Sequence, residues 1–134
     1  MKKISLLLVL AAIGFTMSAF LTTAKKKAQF RVATYNIRYA APMDEESGNG
    51  WDIRKDALTS LIRSHQFDIV GTQEGEKHQM EDLKKMLPTF GQILHPYGGN
   101  DYHNLGILYK EDLFEPLDTG VFWLSETPDT ASIG

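Results

Sequence analysis

Two oxygen-bearing side chains, Asn36 and Glu74, stand at the ends of apolar segments that are typical of buried strands. If those strands are neighbours in one sheet, both side chains lie at the same sheet edge, where open α/β sheets bind their ligands. A carboxylate and a carboxamide are hard oxygen groups, which suit Mg²⁺ or Mn²⁺ better than Zn²⁺. On position alone a second interpretation stays open, in which Asn36 is a capping residue and Glu74 is a solvated surface residue.

Other charged residues near these positions have two interpretations each. Arg38 follows Asn36 by two residues and shares its sheet face if the strand continues, so it could contact a phosphate or form a salt bridge at the sheet edge. Arg54 is predicted to form a structural ion pair, and Asp68 to serve as a turn or cap residue. The four histidines lack the spacing of metal ligands and are predicted on the surface or in loops. They are His65, His78, His95 and His103.

The periodicity of the chain predicts the elements that would position these residues. Strands are predicted over residues 30–37, 67–73, 90–94, 105–110 and 121–124, where β-branched and aromatic residues dominate. Helices are predicted over residues 51–65 and 76–87, because apolar residues recur there at helical spacing. Residues 41–50 are rich in Gly, Pro and acidic side chains and are predicted to be an exposed loop.

This order of elements predicts a mixed α/β sheet with helices outside it. The last predicted strand has little chain left to pair with, and residues 125–134 resemble a turn rather than a closing element. A sheet that ends this way exposes an edge and an apolar face. We therefore expect the chain to be the first half of a larger domain.

The first 24 residues have the three-part pattern of a secretory signal peptide. A basic start is followed by an apolar run, and small residues precede a predicted cleavage near Ala24. An uncleaved membrane anchor is the alternative, since the run is about long enough to span a bilayer. The lysines at positions 25–27 count against both the signal peptide and the anchor, because positive charge directly after the apolar run opposes export. We predict a signal peptide over residues 1–24, a short leader over residues 25–29 and a domain over residues 30–134, exported to the periplasm or the extracellular space.

The composition excludes several classes of function. The 134 residues include no cysteine, so disulfides, thiolate metal sites and a cysteine nucleophile are absent. Removing residues 1–24 takes away two of the 14 basic residues and none of the 17 acidic ones, which changes the net charge from −3 to −5. An acidic surface does not attract polyanions, so no stable nucleic-acid partner is expected. We also expect no integral membrane association after cleavage of the signal.

Five short motifs resemble those of the endonuclease/exonuclease/phosphatase family, the deoxyribonuclease-I-like metallophosphoesterases. They occur in the family's order, and the resemblance covers residues 30–134. The motifs are ATYNIRY at residues 33–39, WDIRK at 51–55, DIVGTQE at 68–74, LGILYK at 105–110 and FWLSETP at 122–128. The resemblance implies a two-sheet β-sandwich flanked by helices, of which the chain would form the N-terminal half.

The resemblance also implies a reaction. Glu74 matches the family's metal-binding glutamate, and Asn36 matches the asparagine beside the metal and the scissile phosphate, so both are expected to be catalytic. Arg38 is the expected substrate-binding residue. The implied enzyme is a Mg²⁺- or Mn²⁺-dependent phosphodiesterase, nuclease or phosphatase, in which a histidine base activates water for in-line attack on phosphorus.

Two departures from the family pattern bear on this expectation. The base histidine, the Asp-x-Asn motif and the Ser/Thr-Asp-His motif do not occur within the 134 residues. Residues 101–104 (DYHN) stand where many relatives have a glutamate that orients the base. We therefore expect these 134 residues alone to hydrolyse little or nothing. An exported, non-catalytic binding or interaction module on the same fold is the alternative function.

Overall fold

The computed structural model describes residues 28–97 and 103–132, so the predicted signal segment lies outside the described residues. Four strands and three helices form within them. The strands are β1 (Val32–Asn36), β2 (Ile69–Gly75), β3 (Phe90–Tyr97) and β4 (His103–Lys110), and the helices are α1 (Pro42–Glu46), α2 (Trp51–Ser64) and α3 (Lys77–Met86). Both long helices and four of the five predicted strands are present, and no boundary differs from the predicted one by more than three residues.

The four strands form one sheet in the order β1-β2-β4-β3. β1 pairs with β2 in parallel, and Asn36 lies beside Gln73 in that register. β4 is antiparallel to both β2 and β3. Because parallel neighbours end at the same edge, the carboxyl ends of β1 and β2 meet, which fulfils the condition on which Asn36 and Glu74 would share one sheet edge.

In the part of the chain that the structure describes, one apolar core lies between the sheet and helices α2 and α3. Its buried side chains come from β2, β3, β4, both long helices and the residues that directly follow β1 and α3, and each contributes roughly 1.5–3 kcal/mol by leaving water. They are Ile37, Trp51, Leu58, Ile62, Val70, Met80, Leu83, Leu87, Phe90 and Leu108. Not every apolar residue of α2 lies on its buried face, because Leu58 and Ile62 are buried while Ile53 is 63% exposed.

The predicted loop over residues 41–50 contains a helix, α1, and the loop prediction is wrong there. Pro42 starts this helix, and Asp44 and Glu45 occupy its first turn, where acidic side chains complement the helix dipole. The helix is only five residues long, so it has no amphipathic period that a sequence pattern could reveal. Its position matters for the site, because it places the Asp44 carboxylate beside Arg38.

The strand predicted over residues 121–124 does not form, and this prediction is wrong. Val121, Phe122 and Leu124 are exposed, and the Trp123 N–H donates to the Pro128 carbonyl of the same segment at 2.8 Å. A strand needs a neighbour, and no described strand offers its edge to this segment. No helix within residues 28–97 and 103–132 is both long enough and apolar enough to cross a membrane.

Candidate functional site

The two candidate metal ligands are in direct contact. Asn36 Nδ2 donates a hydrogen bond of 2.7 Å to Glu74 Oε1, although the residues are 38 positions apart in the chain. The parallel pairing of β1 with β2 produces this contact, because each side chain stands at or near the last residue of its strand. Asn36 is exposed and Glu74 is half-buried, so the pair faces solvent at the sheet edge.

A β-bulge in β2 directs the Glu74 side chain toward Asn36. Between two pairs of the β2–β4 ladder, Gln73 and Glu74 together oppose the single residue Leu105. The flanking pairs are Thr72 with Gly106 and Gly75 with Asn104. The backbone of Glu74 has φ = 63°, a left-handed conformation that costs a non-glycine residue roughly 1–2 kcal/mol. Simple alternation would bury the Glu74 side chain beside Thr72, whereas the bulge leaves it half-buried at the sheet edge.

The loop after β1 fixes the orientation of the Asn36 carboxamide. Arg38 also has a left-handed backbone, with φ = 57°, and its N–H donates to Asn36 Oδ1 at 2.8 Å. The oxygen of the Asn36 side chain therefore accepts from the loop, while its NH₂ group points to Glu74. β1 ends at Asn36, so Arg38 lies outside the strand. The predicted sharing of a sheet face by Arg38 and Asn36, which required the strand to continue, therefore does not hold.

The Arg38 side chain forms the salt bridge that was one of its two predicted roles. Its Nε lies 2.6 Å from Asp44 Oδ2, and its Nη2 lies 2.9 Å from Asp44 Oδ1. The hydrogen bond from Arg38 lowers the pKa of Asp44 and, reciprocally, raises the pKa of the guanidinium. Half of the Arg38 side chain stays exposed, so its role in substrate binding remains a prediction.

Arg54 makes a set of contacts that the sequence did not reveal. Its guanidinium donates to three successive backbone carbonyls of the loop after β1 and to one before α2. The acceptors are Ile37 at 2.7 Å, Arg38 at 3.3 Å, Tyr39 at 3.1 Å and Asn49 at 2.9 Å. The predicted ion pair is present at 3.7 Å from Asp44, but the carbonyls are the closer partners.

Three aromatic rings group near the same sheet edge. The His103 ring centroid lies 5.2 Å from that of Tyr39 and 5.9 Å from that of Tyr97. Burial raises the pKa of the Tyr97 hydroxyl, and this effect outweighs the opposing one of a hydrogen bond with the Glu74 backbone. His103 opens β4 and His95 lies in β3, so these two histidines are in strands rather than in loops.

The donor set of the site fits a hard divalent cation. Glu74 Oε1 accepts from Asn36, while no described residue donates a hydrogen bond to Oε2. One carboxylate oxygen of this kind is sufficient for Mg²⁺, which retains several waters and completes its shell with substrate phosphate. Within residues 28–97 and 103–132, no three His, Asp or Glu side chains gather to form an all-protein cage.

Asp68 lies at the opposite end of β2 and has a structural role. Its carboxylate accepts from Lys110 Nζ and from the Arg31 N–H, each at 2.7 Å. The hydrogen bond from Lys110, followed by that from Arg31, lowers the pKa of Asp68. Since Asp68 directly precedes β2 and Glu74 lies near the other end of that strand, Asp68 cannot reach the candidate site.

Comparison with known proteins places these features in context. The profile of the family described as "Endonuclease/Exonuclease/phosphatase family" matches residues 33–130. No curated protein matches the chain. Among solved structures, a mannosyl-6-phosphatase of Bacteroides thetaiotaomicron VPI-5482 is 39% identical, with a TM-score of 0.72. That match covers 79% of this chain and 40% of the phosphatase.

Two further solved structures are described as endonuclease/exonuclease/phosphatase proteins. One, from Bacteroides thetaiotaomicron, is 40% identical with a TM-score of 0.70. That match covers 77% of this chain and 39% of the other protein. The other, from Bacteroides vulgatus, is 40% identical with a TM-score of 0.68. That match covers 78% of this chain and 40% of the other protein. The chain thus spans about 40% of the length of each of these proteins.

Proposed function

The chain belongs to the endonuclease/exonuclease/phosphatase family, and on that basis we propose that the protein is a Mg²⁺- or Mn²⁺-dependent phosphoester hydrolase. Family membership confirms the predicted α/β fold class, and a phosphatase among the similar structures supports hydrolysis in general. The observation that carries the metal-dependent reaction is the 2.7 Å contact between Asn36 and Glu74 at the carboxyl edge of two parallel strands.

Asn36 and Glu74 have distinct roles in this proposal. Glu74 would hold the cation through its carboxylate, and the cation would supply positive charge that offsets the charge on the phosphate and the leaving oxygen. The Asn36 NH₂ group has two hydrogens, of which one binds Glu74, so the second can donate to a phosphate oxygen. Because a fixed donor needs no reorientation during the reaction, it stabilises the developing negative charge.

The substrate that we propose first is a phosphate monoester of a hexose. The support is the 39% identity with a mannosyl-6-phosphatase, together with the acidic composition of the chain, which disfavours long nucleic acids. We also propose that the protein is exported, as the pattern of its first 24 residues indicates.

The test compares hydrolysis of mannose 6-phosphate, p-nitrophenyl phosphate and bis(p-nitrophenyl) phosphate by the protein as its gene encodes it. We expect Mg²⁺-dependent turnover that chelation with EDTA abolishes. Glu74→Gln keeps the size of the side chain but removes the charge, so it should lower kcat by about 100-fold or more. Glu81→Gln, which makes the same exchange on the exposed face of α3, should leave kcat unchanged.

Two results would contradict the proposal. Turnover that persists in EDTA would contradict metal dependence, and full activity in Glu74→Gln would contradict the site. Binding of Mn²⁺ without turnover of any ester would favour the alternative of a non-catalytic binding module. Faster hydrolysis of the diester than of mannose 6-phosphate would exclude the hexose phosphate as the preferred substrate.

A further inference from the structure

We propose that Arg54 is a positioning residue of this site, whose guanidinium holds the loop after β1 so that the Asn36 carboxamide is aimed at Glu74. The inference rests on the proposed function, since it gives Arg54 a part in the same reaction. Arg54 acts through the backbone of residues 37–39 rather than by contact with Asn36 or Glu74.

The guanidinium uses most of its hydrogen-bonding capacity on this loop. Arginine has five N–H donors in a rigid plane. In Arg54, Nη1 donates to the Ile37 and Arg38 carbonyls, Nη2 donates to Tyr39, and Nε donates to Asn49. Gln79 Nε2 from α3 donates to the Arg38 carbonyl as well, at 3.0 Å. Two helices therefore hold one short segment of backbone.

These carbonyls lie within the segment that orients Asn36. A non-glycine residue adopts a left-handed backbone only where its surroundings stabilise that conformation, and Arg38 is such a residue. With the Arg38 peptide in this conformation, its N–H reaches Asn36 Oδ1 at 2.8 Å. The amide oxygen is thereby occupied, and the NH₂ group of Asn36 turns to Glu74. A continuous series of hydrogen bonds thus connects Arg54 to the candidate metal ligand.

Helix α2 gives Arg54 a fixed position from which to hold the loop. The guanidinium carbon lies 5.8 Å from the Trp51 ring centroid, and the Trp51 ring is buried in the core. The Asp44 carboxylate, 3.7 Å away, compensates the positive charge and also binds Arg38. Lysine at position 54 would keep the charge but would lose the planar set of donors that matches several carbonyls at once.

The test compares Arg54→Lys with Arg63→Lys. Arg63 is a matched control, because it lies on the same helix and also donates to a backbone carbonyl, that of Met86, away from the site. We expect Arg54→Lys to lower kcat for p-nitrophenyl phosphate by about 10-fold or more, as for residues that orient a metal ligand, with a KM change below about threefold. Arg63→Lys should change neither quantity.

A second readout does not depend on activity. The side-chain amide protons of Asn36, assigned from the signal that Asn36→Asp removes, report the hydrogen bond to Glu74 in ¹⁵N-resolved NMR spectra. We expect Arg54→Lys to shift these signals toward those of a solvated amide and Arg63→Lys to leave them in place. Should Arg54→Lys fold poorly, Arg54→Gln, which retains an NH₂ donor, is measured in the same way.

The outcomes separate this inference from the proposed function. A folded Arg54→Lys protein with unchanged kcat or unchanged Asn36 signals overturns the positioning role. Equal losses in Arg54→Lys and Arg63→Lys also overturn it, because they would show a general effect on α2. If the unmodified protein neither binds Mg²⁺ nor hydrolyses any ester, the proposed function fails, while the Asn36 signals still test the positioning role.

Discussion

At position 74 the backbone has a conformation that glycine adopts more readily than glutamate. The bulge that produces this conformation also places the carboxylate beside Asn36. Backbone strain and the proposed metal-binding role therefore fall on one residue, an arrangement that is common where a backbone is held for a ligand. We therefore expect the left-handed backbone at Glu74 to lower the free energy of unfolding by a measurable amount.

Replacing Glu74 tests the cost directly. Glu74→Gly and Glu74→Ala both remove the carboxylate, but alanine keeps the left-handed strain while glycine relieves it. We expect the glycine variant to have the higher free energy of unfolding, by about 1 kcal/mol, after allowing for the greater flexibility of glycine in the unfolded chain. Urea denaturation of the two variants measures the difference. An alanine variant of equal or higher stability would show that position 74 is not strained.

The sequence identified Asn36, Arg38 and Glu74 as candidates through their places at strand ends and through family resemblance. It predicted an ion pair for Arg54 and a salt bridge as one role of Arg38. It did not identify Asp44 as the acidic partner or the bonds of Arg54 to backbone carbonyls, because these depend on α1 and on the fold of the loop after β1. A helix of five residues leaves no periodic signal, and backbone carbonyls are invisible in a pattern of side-chain types. The metal-ligand roles of Asn36 and Glu74 stay predictions.

Among the elements, the long helices and the strands of the sheet were predictable because their apolar residues recur with the period of the structure that they form. The failure at residues 121–124 has a different origin. That segment has the composition of a strand, but pairing depends on a neighbour, which composition does not encode. The bulge in β2 was likewise unpredicted, since only the pairing with β4 reveals the extra residue.

The junction between β2 and α3 depends on close packing at Gly75. A Cβ atom built there would lie 2.5 Å from Met80 Sδ and 3.1 Å from Ile37 Cδ1. Since both neighbours belong to the core, we expect Gly75→Ala to lower the free energy of unfolding by about 1–3 kcal/mol. Gly120→Ala is the control, because a Cβ there meets no atom within 4 Å. Urea denaturation giving equal stabilities for the two variants would contradict this account of the junction.

Across the whole molecule, three carboxylates in different places share one electrostatic property. The pKa values of Asp44, Asp68 and Asp82 all lie below the ordinary 3.8, and hydrogen bonds from Arg38, Lys110 and Trp51 respectively are the largest causes. A lowered pKa in the folded state means that the unfolded chain binds protons more readily. Stability from these groups is therefore complete above about pH 4 and decreases as the pH falls through the folded-state values.

We expect the urea midpoint of unfolding to be constant from pH 7 to pH 5 and to fall below about pH 4. Asp68→Asn should weaken this acid dependence, because it removes the group held by Lys110 and the Arg31 backbone. Asp56→Asn, an exchange at an exposed position of α2, should leave the acid dependence as it is. An Asp68→Asn protein with the full acid dependence would show that other groups control it.

The parallel pairing of β1 with β2 has a consequence for how the site is assembled in time. Asn36 and Glu74 belong to strands separated by both α1 and α2, so their contact closes a long loop of chain. Such non-local contacts form slowly compared with local helices. If the proposed site binds Mn²⁺, its affinity in a refolding experiment should consequently appear after the helical circular dichroism signal, and the cation would report when the two strands pair.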